Sequence, residues 1–335
     1  MGTAELSCAS LQALLASPDF HLAAVVTQPD RPKGRDLKLQ ASPVKELALR
    51  AGLPVLQPER AREPGFLAEL QRLSPDLIAV AAYGQILPAG ILDLPRFGCL
   101  NVHTSLLPKY RGAAPIQWAI VNGESETGVT IMKMDLGMDT GAILAQETTR
   151  IQPEDDGATL HDRLAHLGAQ LLLRTIPDYV AGKLPPKPQP AEGVSYAPKI
   201  KKQDGQIDWH QPAESIWNRV RGLKPWPGAF TFLPGGQRHL LKVWQAEVVQ
   251  PPSKSGAGVP PAIRGLPLAN AGETPAPLER TGSPGEILQA GTAGVIVACG
   301  RRAVRLLTLQ REGGRRLDAG PFLAGHPLKA GDRLG

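Results

Sequence analysis

The sequence predicts an α/β protein in two parts, a mostly parallel sheet covered by helices followed by a small β-barrel. Three observations carry that expectation. Apolar runs alternate with helical patterns through residues 1–182, as parallel strands joined by crossover helices do. A proline-rich stretch, Lys183-Leu-Pro185-Pro186-Lys-Pro188-Gln-Pro190, then reads as a stiff, extended linker over residues 183–196. Beyond it, short alternating segments separated by glycines make up residues 197–335 and suggest a barrel.

In chain order, Leu6, Leu11, Leu14 and Leu15 fit a first helix, and Leu22 to Thr27 a strand. Ser42 caps a helix that has Pro43 in its first turn and ends near Gly52. Pro54 to Leu56 is a short strand and Phe66 to Leu73 a helix. Leu77 to Ala82 is apolar throughout, as a strand buried on both faces requires, and runs into the loop Tyr83-Gly-Gln85-Ile86-Leu87-Pro88. Leu100 to His103 ends a strand, so Asn101 and His103 share one face. A helix over Ile116–Val121 and a strand from Val129 follow, with Ala142–Ala145 returning antiparallel. Thr159 caps a long helix bearing Leu160, Leu164, Leu167, Leu171 and Leu172. In the second part a helix over Ala213–Val220, a turn at Pro225–Gly228 and strands at 229–232, 240–248, 294–297 and 303–307 are expected. The Pro/Gly/Ala-rich insert 250–283 has little to bury and is expected to be disordered.

Composition narrows the function classes. With 42% hydrophobic and 20% charged residues the chain is expected to be soluble, and no apolar run reaches membrane-spanning length. The first residues lack the pattern of a signal peptide, so the cytoplasm is the default location. Cys8, Cys99 and Cys299 are far apart, without a CxxC pair, and read as small core residues rather than as a disulfide or zinc framework. No metal site is expected. Neither GxGxxG after a strand nor GxxxxGK[ST] occurs, which leaves nicotinamide and ATP readings unsupported. Residues 1–196 carry 18 Lys and Arg against 21 Asp and Glu, and residues 197–335 carry 19 against 10. A bias of +9 in the second part favours a polyanionic partner, nucleic acid before membrane.

Ligands of open α/β sheets bind outside the carboxyl ends of the strands. The loops after Ala82, His103 and Met134 share that rim, bringing Asn101, His103 and Asp139 together. Taken singly, each has an ordinary reading: an asparagine capping a turn, a structural histidine, an aspartate between glycines.

The run Asn101-x-His103-x-Ser105-Leu106-Leu107-Pro108, with Asp139 thirty-eight residues after Asn101, resembles the folate-dependent formyltransferases. Tyr110-Arg111-Gly112-Ala-Ala-Pro115, Gln28-Pro-Asp-Arg31-Pro32, Tyr196-Ala-Pro-Lys199-Ile200 and Pro225-Trp-Pro-Gly228 are similar to the branch acting on methionine carried by initiator tRNA. The resemblance covers nearly the whole chain outside the insert. It implies a Rossmann-like formyltransferase domain over 1–182, an OB-like barrel that contacts tRNA, and formyl transfer from 10-formyltetrahydrofolate to the methionine α-amino group. The family pattern opens on a short apolar strand before Gly-Thr-Pro. Here the chain opens on Met1-Gly2-Thr3-Ala4, so the sheet is expected to lack its first strand. A monomer is expected.

Acyl transfer to an amine needs a neutral nucleophile, an oxyanion donor and a proton path to the leaving nitrogen. Asn101 supplies an amide donor, His103 an imidazole that stabilises the oxyanion or shuttles a proton, and Asp139 a carboxylate that orients it. By resemblance, Tyr83, Gln85, Ile86, Leu87, Ser105, Leu106, Leu107 and Pro108 surround the folate. Ser105 is expected to bond the loop backbone rather than act in the chemistry. The loop with Arg31, Lys33, Arg35 and Lys38 is expected by resemblance to enter the tRNA acceptor end, Arg111 is expected to bind tRNA as well, and Lys199, Lys201, Lys202, Arg219, Arg221 and Lys224 are expected to contact phosphates. Two rivals share parts of this pattern: a formyltransferase for a nucleotide-linked amino sugar or glycinamide ribonucleotide, and a tRNA-binding protein with a decayed catalytic domain.

Overall fold

The structure, a computed structural model, describes residues 1–33, 38–235, 239–252 and 282–335. It divides into two compact units. The first comprises Met1–Trp118, Ser125–Glu154 and Ala158–Lys199, the second Ala119–Glu124, Asp155–Gly157 and Ile200–Gly335. Most of the insert expected to be disordered, together with Arg35 of the basic loop, lies outside the described residues.

The chain runs α1 (Leu6–Ala16), β1 (Val25–Val26), β2 (Arg31–Lys33), β3 (Lys38–Gln40), α2 (Pro43–Arg50), β4 (Val55–Leu56), α3 (Pro64–Leu73), β5 (Ile78–Val80) and α4 (Ala89–Leu92). It continues with β6 (Cys99–His103), α5 (Pro115–Val121), β7 (Glu126–Lys133), β8 (Ala142–Arg150) and α6 (Gly157–Val180). Local chemistry sets these ends. Ser42 Oγ accepts from the Lys45 amide at 3.1 Å, and Pro43 needs no acceptor for a missing N–H. The long helix α6 begins at Gly157, two residues before the expected Thr159 cap. A Cβ at Gly157 would lie 2.4 Å from the Lys224 carbonyl oxygen, so this start requires glycine.

The main sheet has the order β5-β6-β7-β8. It is mixed rather than mostly parallel: β5 and β6 are parallel, whereas β6/β7 and β7/β8 are antiparallel. The short loop between Lys133 and Ala142 is long enough for a hairpin but not for a crossover. A separate parallel pair, β1 and β4, stands beyond β5, and β2 and β3 form a small hairpin.

Between β1 and β5 the chain holds only the stub of a strand. Gly2 bridges Ala81 in parallel, its amide donates to the Val26 carbonyl at 2.9 Å, and the Met1 ammonium donates to the Ala79 carbonyl at 2.6 Å. Alongside lies a cavity of about 1010 Å³ lined by Leu14, Val25, Ile78, Val80, Val102 and Leu172 among others. Burial there lowers the Met1 amine from 8.0 to about 6. Phe66, Leu70, Ile91 and Cys99 share one apolar cluster with Val26 of β1 and with Ile78 and Val80 of β5.

The second unit begins with a 3-10 turn at Lys202–Gly205 and α7 (Ala213–Gly222). Then come β9 (Ala229–Phe232), β10 (Leu240–Val249), β11 (Ile287–Gly291), β12 (Gly294–Ala298), β13 (Ala303–Arg311), β14 (Leu317–Asp318) and α8 (Ala319–Gly325). Its sheet runs β11-β12-β13-β10-β9, with β14 beside β13. The expectation is a small, OB-like β-barrel; among the described residues the sheet is an open path, in which β9 and β11 do not pair. Ile216 and Val220 of α7 join Leu241, Val243, Val297, Leu306 and Phe322 in one core.

Candidate active site

Strand β6 carries Asn101 and His103, flanked by β5 on one side and β7 on the other. Period-two alternation sends Val102 into the cavity side of the sheet and the two polar residues to the opposite face. His103 is buried, with 5% exposure, and Asn101 is half-buried. His103 Nε2 lies 3.0 Å from the Tyr110 carbonyl oxygen, which can only accept, so the imidazole hydrogen is assigned to Nε2. Nδ1 then faces the Asp139 carboxylate, at 3.8 Å from Oδ2. The same Oδ2 accepts from the Gly112 amide at 2.7 Å.

Backbone geometry makes this convergence possible. Tyr110 (φ 60°), Gly112 (φ 120°) and Asp139 (φ 54°) all occupy the left-handed region. For residues with a side chain that conformation costs about 1–2 kcal/mol, so surrounding contacts must hold it. Those contacts are on hand. The Asp135 carboxylate accepts from the Gly137 amide at 3.0 Å and from Thr140 Oγ1 at 2.7 Å, closing the loop that presents Asp139. Across the site, the fully buried Thr130 hydroxyl donates to the Ser105 carbonyl at 2.7 Å and accepts from the Leu107 amide at 3.1 Å. Gln146 donates to the Leu107 carbonyl at 2.9 Å, and Leu107–Pro108 is a cis peptide. Ser105 Oγ donates to the Lys109 carbonyl at 2.6 Å, so its hydroxyl is committed to the loop backbone.

The proline-rich stretch is not a free linker. Lys187 forms an antiparallel bridge with Ile143, and Arg111 a parallel bridge with Tyr196. The Ala197 amide donates to the Arg111 carbonyl at 2.7 Å, and the Tyr110 amide to Ser195 Oγ at 2.9 Å. Residues 187–197 are therefore a strap sewn to the rim of the first unit. Gln189, to which the sequence assigns no role beyond its place in the linker, joins Arg111 to the Asp139 loop. Its only signal was an amide side chain standing between two prolines. Thr130 and Gln146 were missed because a polar residue in an apolar strand announces no partner.

In the loop after β5, Tyr83 is buried with 2% exposure, and burial pushes its phenol up to about 12. Its carbonyl accepts from Thr3 Oγ1 at 3.0 Å and from Gln28 Nε2 at 2.9 Å. Gln85 Oε1 accepts from the Ala61 amide at 2.7 Å. Leu87 is buried, whereas Ile86 is 89% exposed. Leu106 is half-buried and Leu107 buried.

The basic residues differ in how far they are engaged: Arg31 Nη2, for one, donates to Gln28 Oε1 at 3.3 Å. Arg31, Lys199, Lys201 and Lys202 are exposed, and Lys33 and Lys38 stand on the β2/β3 hairpin. Lys224 sits 3.7 Å from Asp156, and Arg219 bonds the Asp204 carbonyl. Arg221 corrects the sequence expectation: it is buried, donates to Asn218 Oδ1 at 3.0 Å and the Asp155 carbonyl at 2.9 Å, and stacks on Trp217. Its guanidinium serves the core of the second unit rather than a phosphate. Arg111 is likewise engaged, with Gln189. Among the described residues no three His, Cys, Asp or Glu side chains gather as metal ligands, and no helix is long and apolar enough to cross a membrane.

Two family models match in order, "Formyl transferase" over residues 2–176 and "Formyl transferase, C-terminal domain" over residues 199–327. The chain belongs to the formyl transferase family. Within it, the chain is 47% identical to the methionyl-tRNA formyltransferase of Trichlorobacter lovleyi, covering 100% of this chain and 95% of that protein. Identity to the methionyl-tRNA formyltransferase of Caldanaerobacter subterraneus is also 47%, covering 100% and 98%. Among solved structures, an N-formyltransferase from Helicobacter canadensis, in complex with folinic acid and dTDP-3-aminofucose, shares the fold. Its TM-score is 0.60 at 17% identity, covering 91% of this chain and 97% of that one. HypX from Aquifex aeolicus, in complex with tetrahydrofolic acid, matches at TM-score 0.54 and 19% identity, covering 87% of this chain and 47% of that one.

Proposed function

We propose that this chain transfers the formyl group of 10-formyltetrahydrofolate to the α-amino group of methionine on initiator methionyl-tRNA. One observation carries the reading: end-to-end identity of 44–47% to methionyl-tRNA formyltransferases, through both family domains. The sugar N-formyltransferases among the structural neighbours support the fold alone.

The neutral amine attacks the formyl carbon, and the carbonyl oxygen becomes an oxyanion. Asn101 donates its carboxamide N–H to that oxygen. With Nε2 on the Tyr110 carbonyl, His103 Nδ1 is the ring nitrogen free to take the amine proton. The imidazolium so formed is held between the Tyr110 carbonyl and the Asp139 carboxylate, which the Gly112 amide keeps in place. Collapse of the tetrahedral intermediate breaks the bond from carbon to N10, and the proton passes to N10. The folate would lie along Tyr83–Leu87 and Leu106–Pro108. An exposed isoleucine beside a buried leucine offers Ile86 as an apolar cover for a flat heterocycle, and this fits the residues present.

Arg31, Lys33, Arg35 and Lys38, with Lys199, Lys201 and Lys202, supply phosphate contacts that position the tRNA without reading its sequence. The protein acts in the cytoplasm as a monomer. The test is an assay with charged initiator tRNA and 10-formyltetrahydrofolate, with a nucleotide-linked amino sugar as competitor. Formyl-methionyl-tRNA as the product supports the reading; formylation of the sugar alone, or of neither, overturns it.

A further inference from the structure

We propose that Gln189, backed by Arg111, is a positioning residue for the Asp139 carboxylate, an inference that rests on the catalytic reading of Asp139. Gln189 uses its full hydrogen-bonding capacity on two targets. Its Nε2 donates to the carbonyls of Asp139 and Gly141, each at 2.8 Å. Its Oε1 accepts from Arg111 Nε at 3.1 Å and Nη2 at 2.7 Å. An amide offers two donors and one oxygen with two lone pairs, so all are satisfied and the orientation of the amide is unique.

The grip falls where it is needed. Asp139 holds φ 54°, a conformation that an isolated loop leaves readily. Gln189 pins the carbonyl of that residue and the carbonyl two positions on, so the peptide planes that aim the carboxylate at His103 are fixed from outside the loop. Gln189 is itself held. Pro188 and Pro190 restrict the backbone on both sides, and Lys187 exchanges backbone hydrogen bonds with Ile143 at 2.7 and 2.9 Å. On the other side of the amide, Arg111 has its backbone in the strap bridge with Tyr196 and lies one residue from Gly112, whose amide bonds the carboxylate directly. Strap, loop and carboxylate thus form a closed circuit: Gln189 to Asp139, Asp139 to Gly112, and Arg111 back to Gln189.

Small errors in placing a catalytic group cost large factors in rate, about a hundredfold for a displacement near 1 Å. The variants Gln189→Ala and Gln189→Glu separate the two arms of the amide. Glutamate keeps an acceptor for Arg111 and loses both donors to the loop. The expected result is a ten- to hundredfold loss of kcat in both variants, with KM for tRNA and folate unchanged and the melting temperature within a few degrees of the parent. Combined with Asp139→Ala, Gln189→Ala should add no further loss in single-turnover rate, because the group it positions is gone. Full activity in Gln189→Ala, recovery of kcat in Gln189→Glu, or losses that multiply in the double variant would overturn the proposal. An Asp139→Ala protein that retains parental activity would instead sink the catalytic reading beneath it, and the two failures are distinguishable.

Discussion

The Gly112 amide donates to the Asp139 carboxylate at 2.7 Å, and no other residue type can occupy position 112 without strain. At φ 120° a side chain is disfavoured, and a Cβ would stand 2.7 Å from the Ala197 carbonyl oxygen. Gly112→Ala is expected to push the strap away and turn the amide from the carboxylate. Turnover should fall at least tenfold, with a melting temperature lowered by about 2–4 °C, as a loss of about 1 kcal/mol gives in a larger domain. Thermal unfolding and steady-state kinetics check both; a variant with parental kcat would show that the amide is dispensable.

Asn101, His103 and Asp139 differ in what their removal leaves behind. On the proposed mechanism, replacing Asn101 by alanine takes away the oxyanion donor and is expected to lower turnover about a hundredfold or more. On the same mechanism, His103→Ala and Asp139→Ala interrupt the proton path and should cost a similar or larger factor. Substrate affinities measured by equilibrium binding should barely change. Formylation at the parental rate in any of the three would remove that residue from the chemistry.

Binding of tRNA should weaken steeply with salt. Each phosphate neutralised contributes about 0.7–0.9 to the slope of log affinity against log salt. Replacing Lys201 and Lys202 together by alanine should reduce the slope by about 1–2. Arg221→Ala should instead lower the melting temperature, since that guanidinium is buried in the second unit. Filter binding between low and moderate salt, beside calorimetry, separates the two effects; a slope unmoved by the double lysine variant would leave those residues without phosphate contacts.

Where Met1 carries a free amine, its burial beside the cavity is expected to make stability depend on pH. Its value is lowered from 8.0 to about 6 by burial, so between these limits the unfolded chain binds more protons than the folded one. Stability should therefore rise as pH increases from 6 to 8, by about 2 kcal/mol if this group acts alone. Denaturant unfolding at the two pH values measures it, and acetylation of the amine should abolish the difference. Appending an apolar strand of about five residues before Met1 would extend the pairing already made by Gly2 with Val26 and Ala81, and should raise the melting temperature. A stability that falls with pH across this window, or an appended strand with no effect, would contradict the reading of the gap.

Much of the fold was legible because it rests on local rules. The Ser42–Pro43 cap, the apolar run through Val80 and the leucines of α6 each follow from propensity and period. The Asn101 and His103 pair was legible because alternation in a strand puts them on one face. The start of α6 was misread, since the requirement for Gly157 comes from the Lys224 carbonyl, far away in the chain. Antiparallel pairing of β6 with β7, and the open path of the second sheet among the described residues, are not legible in the sequence, because pairing partners are not encoded in either strand alone.

The sequence by itself determined most of the element types, the basic second part and which residues stand as candidates for formyl transfer. Only the tertiary structure decided which groups hold those candidates in place. Gln189 looks like a spacer among prolines until the strap folds against Asp139, and Arg221 looks like a phosphate ligand until α7 buries it against Asp155. The physical reason is the same in both cases. A side chain's donors and acceptors are set by its covalent structure, but the partners that satisfy them come from distant parts of the chain, and burial makes that pairing obligatory.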